Sequence, residues 1–231
     1  MKLPQPLIPG RLLRRYKRFL ADVELADGMM LTAHCPNSGS MMGCAAPGSQ
    51  VLLSRSDNPA RKFPHTWELV QADGCWVGIN TALPNRLVRE GIEQGVVVEL
   101  QGYGSIRPEV CYGSERSRID LLLEAPGLCY VEVKNVTLVE DGVARFPDAV
   151  TARGQKHLRE LMAMVERGAR SVNLFVVQRA DARAVAPADA IDPAYGRLLR
   201  QAAGAGVELL AYQARVTPAE IALCHPLPIL L

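Results

Sequence analysis

No apolar run in this chain approaches the roughly 18 to 20 residues that a membrane span needs. Its start, Met1-Lys2-Leu3-Pro4-Gln5-Pro6, lacks the apolar core of a signal peptide. A cytoplasmic protein with no membrane association is the expectation. The six cysteines (Cys35, Cys44, Cys75, Cys111, Cys129, Cys224) form no Cys-x-x-Cys and no Cys/His spacing typical of zinc. Free, mostly buried thiols in a reducing compartment are therefore predicted, and His34-Cys35 with Cys44 lacks a fourth metal ligand. Aromatic residues are only 5% of the chain, and Trp67, Trp76 and scattered tyrosines make no cluster on which a sugar would stack. Repeats and low-complexity tracts are absent. Net charge is only +2, which by itself excludes no partner.

Hydrophobic residues make up 48% of the 231 positions, enough for one large domain or two small ones. The charge is unevenly distributed. Residues 1–80 carry 9 Lys/Arg against 6 Asp/Glu, and residues 81–231 carry 17 against 18. Arg11, Arg14, Arg15, Lys17 and Arg18 crowd around Tyr16, with Arg55, Arg61 and Lys62 later. Such a group reads either as a phosphate-contacting surface or as a solvated strand edge kept unpaired by its charges.

From about residue 8 to 80, short strand-like runs (Phe19 to Leu25, Met29 to His34, Val51 to Ser54, Trp67 to Gln71, Cys75 to Ile79) alternate with turn signals such as Asp27-Gly28, Pro47-Gly48 and Asp73-Gly74. The pattern predicts a small β-barrel, of oligonucleotide-binding type or another, over residues 1–82. Residues 83–231 change texture. A helix fits Leu83 to Gln94, strands follow near Val96 to Leu100, Ile106 to Tyr112, Ile119 to Glu124 and Leu128 to Val136, and a longer helix fits Ala152 to Arg167. A buried strand at Val172 to Val177, a surface loop at Ala180 to Ala190, a helix at Pro193 to Ala203 and a strand at Val207 to Tyr212 complete an α/β layer structure, α+β overall.

Two of these strands carry charges where apolar residues dominate: Asp120 in Ser117-Arg118-Ile119-Asp120-Leu121-Leu122-Leu123, and Glu132 and Lys134 in Tyr130-Val131-Glu132-Val133-Lys134-Asn135. Alternation puts Glu132 and Lys134 on one face. A loop centred on Pro126 would pair residues whose numbers sum to 252, setting Asp120 opposite Glu132 with alpha carbons roughly 4.5 to 5.5 Å apart. Opposed carboxylates destabilise a sheet unless a cation sits between them. Lys134 with a divalent metal meets that need, and hard oxygen donors favour Mg2+ or Mn2+. Glu-x-Lys on a strand is more often a solvated ion pair. Asp120 shifts the balance, because a strand reading Ile-x-Leu-Leu-Leu has little reason to carry a central acid.

Asp followed by Glu-x-Lys on adjacent strands, with a helix before and another after, resembles the PD-(D/E)xK nuclease superfamily. The resemblance implies Asp120 and Glu132 as metal ligands, the Val133 carbonyl as a third, and Lys134 as the residue that positions the attacking water. Arg153, Gln155 and Lys156 lie near the start of the long helix, where amides and cations can meet phosphate; Gln155 resembles the helix Gln of some branches, and Glu109 is a further candidate acid. At whole-chain level the sequence resembles the sugar fermentation stimulation protein (SfsA) family through Arg18-Phe19-Leu20-Ala21-Asp22-Val23, His34-Cys35-Pro36-Asn37-Ser38-Gly39-Ser40-Met41, Thr66-Trp67-Glu68-Leu69-Val70, Ser117-Arg118-Ile119-Asp120, Tyr130 to Val136 and Phe146-Pro147-Asp148-Ala149-Val150-Thr151. It implies an oligonucleotide-binding barrel joined to a nuclease-like mixed-sheet domain, with DNA binding linked to sugar metabolism. Members are also described with a C-terminal helix-turn-helix, but Val207-Glu208-Leu209-Leu210-Ala211-Tyr212 reads better as a strand than as a recognition helix.

Three functions follow: a metal-dependent DNA or RNA phosphodiesterase, a DNA-binding regulator that keeps the nuclease scaffold without turnover, and a structural or protein-partner role. The candidate nucleic-acid contacts are Arg14, Arg15, Lys17, Arg18, Arg61, Lys62, Arg153, Gln155 and Lys156.

Overall fold

The structure, a computed structural model, describes residues 1–113 and 117–231. Its N-terminal part is built from β1 (Ile8–Tyr16), β2 (Leu20–Leu25), β3 (Met30–His34), β4 (Gln50–Arg55), β5 (His65–Ala72) and β6 (Cys75–Gly78). The strands run in the order β3-β2-β1-β4-β5-β6, and a β3–β5 pairing closes the first five into a barrel of oligonucleotide-binding type. Trp67 fills it, fully buried among Leu12, Val23, Leu53 and Val70, with its indole N–H donating to the Leu69 carbonyl at 2.9 Å.

The basic run is β1, which is not an edge. It pairs with β2 on one side and β4 on the other. Alternation explains how three arginines fit in a barrel strand: Leu12 points into the core while Arg11 and Arg14 point out, and a bulge between Leu12 and Arg14 shifts the register. The outer arginines pair along the sheet surface, Arg11 with Glu24 and Arg14 with Asp22 at 2.8 Å.

The second part begins with α1 (Pro84–Glu93). Residues 96 to 100, expected as a strand, instead hold a 3-10 turn, Val98–Leu100, entered through Gly95 at a positive φ of 75°. The elements continue as β7 (Ser105–Tyr112), β8 (Ser117–Glu124), β9 (Leu128–Val136), β10 (Leu138–Glu140), β11 (Val143–Phe146), α2 (Ala152–Glu166), β12 (Arg170–Val177), β13 (Ala184–Pro187), α3 (Pro193–Gly204), β14 (Glu208–Val216) and β15 (Ile221–Pro226). A mixed sheet orders β15-β14-β12-β9-β8-β7, with β12 parallel to both β9 and β14. Pairing Leu121 with Val131 and Leu122 with Tyr130 follows the expected sum of 252. The ladder stops there: Asp120 and Glu132 are the next pair by number but do not join it.

One further correction concerns the segment before α3. The Ala180 to Ala190 segment is not a surface loop, because β13 within it is fully buried and lies parallel to β11. Its alanines cover apolar surface without the bulk that signals a strand. As the sequence pattern predicts, α3 is followed by a strand, β14, and no helix-turn-helix forms there. All six cysteines are free; Cys35, Cys44 and Cys129 are buried, whereas Cys111 and Cys224 are exposed. Among the described residues, no helix is long and apolar enough to cross a membrane.

Both faces of the mixed sheet are covered. Helices α2 and α3 pack on one through Leu158, Leu161, Leu199 and Phe175. The other is shared with α1 and the barrel, so Leu52 and Leu69 belong to one cluster with Leu121, Val131 and Leu174. Polar joints fix the same junction. Arg179, 1% exposed, donates to Asp181 at 2.6 Å, to Asp73 of the β5–β6 turn at 2.8 Å and to the Thr137 carbonyl at 2.9 Å. Replacing Arg179 with Ala strands these acceptors and is expected to cost about 3 kcal/mol in a denaturant melt, whereas Asp73→Ala, on the exposed side of the joint, costs less than about 1 kcal/mol.

Candidate active site

Glu132 is 2% exposed and lies on the α2 face of β9. A carboxylate buried this deeply needs compensation. Lys134, two residues along the same strand and therefore on the same face, donates to Glu132 Oε1 at 2.5 Å. His157 of α2 contacts the same oxygen through Nδ1. Arg153, one helical turn earlier, donates from Nε to His157 Nε2 at 3.3 Å, and the Lys134 ammonium lies 3.4 Å from His157 Nδ1. Burial alone would raise the Glu132 carboxyl, but Lys134 and then His157 outweigh it and hold it below its ordinary value. The second oxygen, Oε2, is buried with no hydrogen-bond partner among the described residues.

Asp120 approaches from the end of the β8 ladder. Its Oδ2 accepts the Val133 backbone N–H at 2.7 Å and its Oδ1 accepts from Asn85 of α1 at 2.9 Å. Asn85 also reaches toward Glu109 at 3.5 Å, the residue that faces Asp120 by number on β7 and that has a positive φ of 54°. Burial, then repulsion from Glu132, pushes the Asp120 carboxyl up to about 6 against the pull of the Val133 amide, Lys134 and Asn85. Asp120, Glu132, Lys134, Arg153, His157 and Asn85 wall one cavity of about 220 Å³.

These donors fit a hard divalent cation. Two carboxylates line one cavity, one has an unused buried oxygen, and the other is lifted by burial and then by its neighbour's charge, all of which a cation would relieve. Among the described residues no group of three or more His, Cys, Asp or Glu side chains forms a metal cage, so this protein's share of such a shell is small.

The remaining predicted contacts are dispersed. The Arg15 guanidinium donates to the carbonyls of Asn37, Gly39 and Ser40 and holds that loop. Lys17 and Arg18 sit exposed in the β1–β2 turn. Arg61 donates to the Thr66 hydroxyl at 3.0 Å, and the Lys62 ammonium lies 5.6 Å from the centre of the Phe63 ring. The Gln155 amide donates to both oxygens of Asp192, which also caps α3, and Lys156 is half-buried beside His157. His157 and Asn85 were not evident from sequence. A buried His one turn after Arg153, on the face of α2 defined by Leu158 and Leu161, was the available signal.

The N-terminal residues 13–79 match the SfsA N-terminal OB domain, and residues 82–220 match the sugar fermentation stimulation protein RE domain. The chain belongs to the SfsA family. Relatives named sugar fermentation stimulation protein homolog include one from Geobacter metallireducens, 72% identical over the full length of both chains, and one from Thioalkalivibrio sulfidiphilus, 60% identical over 96% of this chain and 95% of its own. A solved structure of Pyrococcus furiosus SfsA in complex with Ca2+ superposes with a TM-score of 0.90 at 28% identity, covering all of this chain and 98% of that one.

The buried cluster makes a test with an inverted sign. Glu132→Leu strands Lys134 and is expected to cost about 3 kcal/mol or more, whereas Glu132→Leu combined with Lys134→Met costs less than the single change. Urea melts of both variants check it.

Proposed function

We propose that this SfsA-family protein binds DNA, or RNA, and hydrolyses phosphodiesters with Mg2+ or Mn2+ held by Asp120, Glu132 and the Val133 carbonyl. The observation that supports this reading best is the convergence of Asp120, Glu132 and Lys134 on one cavity with Glu132 Oε2 unpartnered. The Ca2+ in the related Pyrococcus furiosus structure is a hard, oxygen-seeking ion of the class these donors suit.

A divalent cation there would neutralise phosphate charge and lower the pKa of bound water. The chain's own residues do the rest. Lys134 carries positive charge to the point where a pentavalent phosphorus gains negative charge. His157 and Lys134 fix Glu132 through one oxygen and leave the other without a partner among the described residues, while the Val133 amide and Asn85 orient Asp120. Arg153 bonds His157 Nε2 and adds a cation to the wall. The exposed Lys17 and Arg18 of the barrel turn extend a positive surface for the phosphate backbone. The family name ties such activity to sugar use.

Incubation with labelled single- and double-stranded DNA and RNA in Mn2+, Mg2+ or chelator tests the reading on a gel. Cleavage is expected with metal, absent with chelator, and reduced about a hundredfold or more in Lys134→Ala. Equal, salt-sensitive retardation without cleavage assigns the protein to the non-catalytic DNA-binding regulators. Absence of both retardation and cleavage overturns the nucleic-acid reading.

A further inference from the structure

A second cavity, of about 200 Å³, adjoins the first, and Thr81 and Asn135 wall both. Its outer wall is the Asn37-Ser38-Gly39 loop from the barrel, and its inner wall is Arg145 and Asp148 from the mixed-sheet domain. The loop is held from both sides. Arg15 grips three of its carbonyls, Asn37 accepts the Gly39 N–H at 2.8 Å and donates to the Ile79 carbonyl at 3.0 Å, and Asp148 accepts the Met41 N–H at 2.9 Å. Gly39 lies so close to Asp148 that a Cβ would stand 2.8 Å from its carboxylate, so this position needs glycine. A loop fixed this firmly is a preformed wall.

What faces the cavity is less fully used. Ser38 is exposed at the loop tip. Asn135 accepts from Gln178 through Oδ1 at 2.7 Å, leaving its amide N–H groups as donors. Arg145, on the cavity wall, is half-buried; its Nε makes no hydrogen bond among the described residues and meets the exposed Glu140 carboxylate only in a long ion pair of 3.8 Å. A guanidinium on a cavity wall, held only by a long ion pair to an exposed carboxylate, can turn to an anionic ligand at shorter range. The Asp148 carboxylate is occupied as a staple for the loop.

We propose that this cavity receives the nucleotide next to the scissile phosphate, with Arg145 pairing to that nucleotide's phosphate and Ser38 and Asn135 bonding its sugar or base. A pocket this small takes one unit at a time, so the substrate class is a single strand or an unpaired strand end. This inference rests on the nucleic-acid reading above and is independent of turnover.

Fluorescence anisotropy with short labelled oligothymidylates in Ca2+, compared with the same sequence as duplex, tests it on the full chain. Single strands are expected to bind more tightly than duplex. Arg145→Gln weakens single-strand binding about tenfold or more and lowers the salt slope of log affinity by about 0.7. Ser38→Trp, which fills the cavity from an exposed position, weakens it comparably, with thermal melts confirming that both variants fold. Both variants binding like wild type, duplex binding as well as single strand, or no wild-type binding would each overturn the inference. Loss of binding in both variants beside an uncleaved wild-type complex in Mn2+ upholds the subsite and refutes catalysis.

Discussion

A carboxylate at the centre of a sheet is the constraint around which this molecule is arranged. Glu132 cannot stay ionised at 2% exposure without charge beside it. That charge comes from its own strand, by the two-residue period that aligns Lys134, and from α2, by the turn that aligns Arg153 with His157. The crossover from β9 to the parallel strand β12 lays α2 over that face. The helix therefore has two tasks: to bury Leu158 and Leu161, and to carry a donor to Glu132.

The same constraint explains why the strands part where they do. β8 and β9 hold register up to Leu121 and Val131. One residue further, two carboxylates would meet in the ladder. Instead Asp120 turns its oxygen to the Val133 amide, which removes it from direct opposition and satisfies a backbone donor in the same step. Burial, with the repulsion that remains, still lifts Asp120 to about 6.

Much of this was legible because it is local. The Pro126 turn and strand alternation suffice to predict the register, and an acid inside Ile-x-Leu-Leu-Leu is anomalous whatever the fold. His157 and Asn85 were not legible, since each becomes a site residue only when a helix from another part of the chain is laid on the sheet. The burial of β13 was hidden for a different reason: Ala184-Val185-Ala186-Pro187 lacks the β-branched density that marks a strand, and its place is set by β11. The basic run of β1 was ambiguous because its charges face outward from a barrel whose closure depends on a single β3–β5 contact.

The shared core of the two parts turns these local features into a site. Leu52 and Leu69 pack in one cluster with Leu121 and Leu174, and Arg179 ties Asp73 to Thr137 across the junction. A barrel held in this way presents its Asn37–Gly39 loop at a fixed distance from β9. The loop then needs few adaptable contacts, and Arg15, a cation that reads in sequence as a phosphate ligand, is used to brace it. Charge in the barrel is thus divided by location: arginines near the junction build the wall, and those at the outer turn remain exposed to solvent.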